Sequence, residues 1–236
     1  MSTIDQNLQA IHHSIVAAEQ EAGRVAGAVQ LLAVSKTFGH EAVLDAVRAG
    51  QRAFGENYLQ EALDKIAAVA ASLPGTALAW HFIGPIQSNK TRPIAEHFDW
   101  VHSVEREKIA QRLSEQRPAS LGSLNICLQV NISGEASKSG AQAADVPELA
   151  RRVAALPNIA LRGLMAIPEP TLDFGAQRAA FRQVRQLYEH LRADGVQLDT
   201  LSMGMSGDLR AAIVEGATMV RIGSAIFGAR AYPNAG

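Results

Sequence analysis

From residue 29 to residue 228, short apolar runs alternate with longer segments of helical period, and few architectures accommodate such a pattern. The runs "VQLLAVSKTF", "RAFGEN", "LAWHFIG", "DWVHSV", "NICLQVNI", "IALRGLMAI", "LDTLSMG" and "TMVRIGSAIFG" read as eight strands. Between them, "EAVLDAVRAG", "YLQEALDKIAAVAASL", "KTRPIAEHF", "EREKIAQRLSEQ", "VPELARRVAAL", "AQRAAFRQVRQLYEHLRADG" and "GDLRAAIVEGA" read as helices, the first stopped by Gly50. Eight β-α units at a spacing of about 25 residues predict an α/β fold, a (β/α)8 TIM barrel, whose usual length is about 250 residues. The rival is an open doubly wound sheet. Its dinucleotide-binding form is disfavoured, because "AVSKTFGHEAV" has one glycine where the phosphate-binding fingerprint needs three.

Ahead of the first strand, Ile4, Leu8, Ile11, Ile15, Ala18 and Ala22 fall on one helix face, while Asp5, Glu19 and Glu21 interrupt any secretory apolar core. Residues 1–25 are therefore expected to form a helix docked on the barrel. With no linker or low-complexity tract, residues 1–236 are expected to form a single domain. Near-balanced charge, 22 basic against 23 acidic residues, and the lack of a basic stripe argue against nucleic acid as a partner. No stretch approaches the roughly 20 apolar residues of a membrane span, so a soluble, non-membrane protein is expected. The single cysteine, Cys127, excludes an intramolecular disulfide and suits a reducing, cytoplasmic compartment. A monomer is expected.

Within this frame one side chain is out of place. Lys36 ends the apolar run "LLAVSKTF", where burying an unpaired ammonium would cost several kcal/mol or strip its proton. The other lysines, Lys65, Lys90, Lys108 and Lys138, lie in polar surroundings and read as helix surface or loop. In a TIM barrel the active site sits at the C-terminal ends of the strands, and phosphate binds to the loops after strands seven and eight. After the seventh predicted strand comes "SMGMSGDLRAA". There Gly204 and Gly207 would let backbone approach a ligand, and Ser206 would open a helix whose N–H groups favour an anion. After the eighth comes "RIGSAIFG", whose Gly223–Ser224 turn offers a second donor-bearing cup. Barrel closure sets the eighth strand beside the first, so Arg221 and this turn should lie near Lys36. A lysine near apolar walls and a cation has a depressed pKa and can condense with an aldehyde. Phosphate plus aldehyde describes pyridoxal 5'-phosphate (PLP). Each feature alone has a plainer reading: a snorkelling lysine, a helix cap at "GMSGD", a structural ion pair at Arg221. Their convergence on one barrel mouth favours a site.

The motifs "AVSKTF", "FGENYLQEALDK", "WHFIGPIQSNKTR", "VNISGEASKSG", "LRGLMAIPEP" and "LSMGMSGDLRAAIVEGATMVRIGSAIFGAR" resemble those of the pyridoxal phosphate homeostasis proteins of the YggS/PROSC type, over almost the whole chain. That family resembles the barrel domain of fold-type III PLP-binding proteins, the class of alanine racemase. The resemblance implies that Lys36 carries PLP as an internal aldimine, that Ser206, Gly207, Gly223 and Ser224 hold the phosphate, and that Arg221 faces the pyridine nitrogen. Many members have threonine where this chain has Ser224, and the hydroxyl donor is kept. Asn57 in "FGEN" and His81 in "WHFIG" match positions near the cofactor, although a core histidine bonded to a carbonyl is an equal reading for His81.

The resemblance also implies a carrier rather than an enzyme, one that stores, buffers or delivers PLP, including transiently to apo PLP-dependent enzymes. A cationic arginine leaves the pyridine nitrogen unprotonated and weakens the electron sink. Alanine racemases also use arginine there, so the stronger point is the absent base. Their second domain and partner subunit add a tyrosine, whereas Tyr58, Tyr188 and Tyr232 are not placed by sequence to oppose Lys36, and no further domain is expected after the eighth strand. Two alternatives remain open at this point: an amino-acid racemase-like PLP enzyme, and a Schiff-base aldolase of sugar phosphates.

Overall fold

The computed structural model describes residues 2–133 and 139–229. Lys138 and Tyr232, and part of the motif "VNISGEASKSG", lie outside the described residues. In chain order the strands are β1 (Gln30–Val34), β2 (Ala53–Glu56), β3 (Ala79–Phe82), β4 (Trp100–Val104), β5 (Leu124–Asn131), β6 (Ala141–Gln142), β7 (Ile159–Ala166), β8 (Thr200–Ser202) and β9 (Met219–Ile222). The α-helices are α1 (Thr3–Glu21), α2 (His40–Arg48), α3 (Leu59–Ser72), α4 (Thr91–His97), α5 (Glu107–Gln116), α6 (Val146–Ala154), α7 (Phe174–Ala193), α8 (Leu209–Val214) and α9 (Ser224–Phe227). Every strand pairing is parallel, and the order β4-β3-β2-β1-β9-β8-β7-β5 closes through β4–β5 into the expected barrel. The two-residue β6 is an addition that the apolar pattern did not announce; among the described residues it pairs only with the end of β5, at Val130 and Asn131.

Closure depends on period-two alternation along each strand. On β1, Leu31 and Ala33 join the large apolar layer between strands and helices, whereas Leu32 belongs to a small separate cluster with Ala53 and Met219. That small cluster fills the base of the barrel lumen. On β9, Val220 and Ile222 likewise belong to the outer layer, leaving Met219 and Arg221 on the lumen face. Leu32 and Arg221 are register partners, so the β1–β9 seam puts an arginine inside the barrel directly beside an inward leucine.

The N-terminal helix is shorter than the expected 1–25, spanning Thr3–Glu21, and it packs on the barrel. Ser2 caps α1 by accepting from the Asp5 N–H, and Leu8, Ile15 and Ala18 are buried against the barrel's last units, α8 and α9. Asn7 donates to the Ile226 carbonyl at 2.9 Å, and Arg24 donates to the carbonyls of Ile213 and Ala217. Buried Glu19 accepts from the N–H groups of Gly27 and Val29, steering the chain from α1 into β1. Among the described residues, no helix is long and apolar enough to cross a membrane.

Candidate functional site

A cavity of about 480 Å³ opens at the C-terminal mouth of the barrel. Lys36, Asn57, Ser206, Gly207, Arg221, Gly223 and Ser224 all line it, each just beyond or at the end of β1, β2, β8 or β9. The sequence-predicted constellation is therefore brought together, with the exception of His81.

Lys36 lies two residues past the end of β1 rather than on it. Leu32 faces the lumen and Val34 lines the cavity, so Lys36 continues the inward series at two-residue spacing and reaches the cavity itself. It is half-buried. Thr37, which follows it, holds φ 68, a left-handed conformation uncommon for a β-branched residue.

Across the seam, Ser206 and Gly207 form the apex of a turn closed from both ends: the Met205 N–H donates to Asp208 Oδ1 at 2.6 Å, and the Asp208 N–H donates to the Met205 carbonyl at 3.2 Å. This corrects the expectation that Ser206 opens a helix. Asp208 binds locally to the turn instead, and α8 begins only at Leu209. Among the described residues, no hydrogen bond uses the N–H of Ser206 or Gly207, so two backbone donors are left to the cavity rim. Gly204 also differs from expectation. Its φ is 98, and a Cβ there would lie 2.6 Å from the Ala212 Cβ, so the glycine is required by the protein's own packing rather than by a ligand. Gly84 does the same for Asn57, whose carbonyl oxygen would lie 2.2 Å from a Cβ at that position.

Arg221 is buried in the lumen and donates to the Ser202 carbonyl at 2.5 Å, the Ser202 hydroxyl at 2.9 Å and the Ala166 carbonyl at 2.9 Å. These acceptors are neutral. Burial pushes the guanidinium pKa down to about 10, with Asp208 opposing the shift, so it remains a cation at neutral pH.

His81 is buried and does not line the cavity. Neither reading of it, cofactor neighbour or carbonyl-bonded core residue, describes its contacts. Its Nδ1 meets His102 Nε2 at 2.9 Å, and His102 Nδ1 meets the Ser202 hydroxyl at 2.8 Å, the same hydroxyl that accepts from Arg221. A polar chain thus runs across the lumen from Arg221 through Ser202 and His102 to His81, whose ring stacks on Trp100 at 5.3 Å. Burial lowers both imidazole pKa values, that of His81 to about 3, so both rings are neutral.

Lys65 requires the clearest correction. Instead of lying on a helix surface it is buried, donating to Glu56 Oε1 at 2.6 Å, Glu61 Oε1 at 3.0 Å and the Ser35 carbonyl at 2.8 Å. Glu56 is fully buried, and burial raises its carboxyl pKa above the ordinary range despite Lys65. Cys127 is the small buried residue expected, its thiol pushed up by burial to about 12.

Residues 6–231 match the family of the alanine racemase N-terminal domain. Over 232 residues the chain is 64% identical to the pyridoxal phosphate homeostasis protein of Pseudomonas aeruginosa, covering 98% of each. The chain belongs to the pyridoxal phosphate homeostasis protein family. A solved family structure, PipY of Synechococcus elongatus with PLP bound, superposes with a TM-score of 0.82 at 37% identity, covering 95% of this chain and all of that one. Alanine racemase from Corynebacterium glutamicum shares the fold, with a TM-score of 0.67 at 17% identity over 93% of this chain and 60% of that one. Family membership thus accounts for the barrel and its mouth, and the donor set suits the cofactor. One amine, two hydroxyl-bearing turns with N–H groups that no hydrogen bond uses among the described residues, and one buried cation share a single cavity large enough for a phosphorylated pyridine ring.

Proposed function

We propose that this protein binds PLP through Lys36 and acts in PLP homeostasis, as a reversible intracellular store from which the cofactor passes to apo-enzymes. The observation that carries the reading is the meeting of Lys36 with the Ser206–Gly207 and Gly223–Ser224 turns around one cavity. PLP held there would supply an aldehyde, the group with which a lysine amine forms a Schiff base, and Lys36 is the lysine that lines the cavity. The residues of the chain divide the remaining work. Ser206, Gly207, Gly223 and Ser224 would hold the phosphate through hydroxyl and backbone donors, and Arg221 would present a fixed cation to the ring nitrogen. Asn57 lines the same cavity. His81 would act only indirectly, through His102 and Ser202, by holding Arg221.

A carrier role rather than turnover draws support from the tyrosines. Tyr188 donates its hydroxyl to the Leu198 carbonyl, Tyr58 sits exposed at the start of α3, and neither lines the cavity. Incubation with common amino acids in deuterated water should give no exchange of their α-hydrogen, whereas exchange would make the protein a racemase-like enzyme. For the site, borohydride reduction of the PLP-loaded protein followed by peptide mass spectrometry should find the label on Lys36. In Lys36→Ala, covalent labelling should disappear while phosphate-directed binding persists; undiminished labelling of that variant would sink the assignment.

A further inference from the structure

We infer that Lys65 is a positioning residue for Lys36, anchoring from outside the barrel wall the short segment that presents the cavity-facing amine. The chemistry of that amine rests on the function proposed above; the anchoring itself is geometric. Strand alternation explains how one lysine can act on another through the wall. Val34 lines the cavity and Lys36 reaches it, so Ser35 between them turns outward, and its hydroxyl donates to Glu56 Oε1 at 2.6 Å. Glu56 ends β2 two residues after Phe54, which packs in the outer layer, so its carboxylate also faces outward, toward α3.

Lys65 lies on the buried stripe of α3 with Ala62 and Val69. Its ammonium has three protons, and its three contacts, the Ser35 carbonyl, Glu56 and Glu61, use all of them. Glu61 Oε1 in turn accepts from the Thr37 N–H at 2.7 Å. The residue before Lys36 and the residue after it are therefore both tied to one buried ammonium, the first directly and the second through Glu61. Thr37 supplies an independent sign of constraint. A left-handed β-branched residue persists only where its surroundings over-determine it; here the Phe38 N–H donates to the Ser35 carbonyl at 3.1 Å, closing a turn over Lys36 and Thr37, and Glu61 holds the Thr37 N–H. Lys65 is thereby excluded as a rival site of attachment, since its nitrogen faces the sheet–helix layer and is fully engaged. Its role is to fix where the Lys36 amine stands.

Two variants and two readouts test this. Glu61 is partly exposed, so Glu61→Ala removes the Thr37 contact without emptying the core, while Lys65→Met removes the anchor itself. In the ligand-free protein, amide hydrogen exchange at Thr37 and Phe38 should accelerate in both variants and stay unchanged in the 205–208 turn. With PLP, the rate of borohydride-trappable attachment at Lys36 should fall by about tenfold or more, because a displacement on the order of 1 Å costs up to about a hundredfold. Affinity for pyridoxine 5'-phosphate, which has the phosphate but no aldehyde, should be retained, and Glu61→Gln, which keeps the acceptor for Thr37, should recover the attachment rate. Unchanged exchange and attachment in Glu61→Ala would overturn the inference, as would a parallel loss of pyridoxine 5'-phosphate affinity, which marks a merely structural pair. Should the unaltered protein fail to label at Lys36, the functional reading falls, and the exchange measurement still decides the anchoring.

Discussion

On the β1–β2 side of the cavity, the segment bearing Lys36 is held by ionisable side chains, Lys65 with Glu56 and Glu61. On the β8–β9 side, the Ser206–Gly207 turn and Arg221 are held by backbone groups, a serine hydroxyl and one carboxylate–amide contact. The difference predicts two modes of failure. A corner built on charge fails when one partner is removed, because the other is left buried and unpaired. A corner built on backbone fails when a side chain is added, because close approach has no slack.

The largest test of this contrast is Lys65→Met. Glu56 would keep only the Ser35 hydroxyl, and its Oε2 already has no partner among the described residues, so a loss of about 3–5 kcal/mol is expected. Because a raised carboxyl pKa gives stability that is lost as pH rises, the loss should be smaller at pH 5 than at pH 8. Urea denaturation of Lys65→Met and of Lys65→Met/Glu56→Gln measures both points. The double variant should recover most of the loss, and failure to do so would show that the corner depends on shape rather than charge.

At the opposite corner the comparable lesion is Gly204→Ala. The added methyl meets Ala212 at 2.6 Å and φ 98 strains it, for an expected loss of about 2 kcal/mol. Since the Gly204 carbonyl accepts from the Arg221 N–H at 2.9 Å, the shift passes directly to β9. Calorimetric titration with pyridoxine 5'-phosphate should show weaker binding even in the fraction that stays folded. Retained affinity would mean that the cup is more forgiving than its backbone construction implies.

These two corners were legible in the sequence to different degrees. The barrel could be read from the β-α alternation, and the mouth followed from the rule that ligands sit at strand C-termini, which brought Lys36, Arg221 and both serine-glycine turns together. Which residues face the lumen could not be read, because strands buried on both faces are apolar throughout, and "LLAV" hides an alternation that only the pairing of Leu32 with Arg221 reveals. Lys65 was misread although its position was available. It shares the helical stripe of Ala62 and Val69, and the periodicity that identified α3 as a helix also places that residue inward. Residue type overrode position. The start of α8 was misplaced because Asp208 competes for the Met205 N–H, a local bond with no periodic signature. His102 and Ser202 were missed because their partners, His81 and Arg221, are distant in sequence and meet only when the barrel closes.

The pH slope of stability, about 1.4 kcal/mol per pH unit for each group, tells the corners apart by sign. His81 is held neutral down to about pH 3 and His102 well below its usual value, both chiefly by burial, with Arg221 adding to the effect on His102. An unfolded chain takes up protons below about pH 6.5 that these imidazoles refuse when folded. Stability from each ring is thus present above that value and lost progressively as pH falls toward its folded pKa. Glu56 acts in the opposite sense, since its raised pKa gives stability that is complete below the ordinary carboxyl range and is lost as pH rises through the folded value. His81→Phe, which keeps an aromatic ring against Trp100, should therefore flatten the acid side of the urea stability profile, and Glu56→Gln should steepen it. Equal slopes in the two variants would mean that the lumen histidines titrate freely, and that the polar chain behind Arg221 opens to solvent before the barrel unfolds.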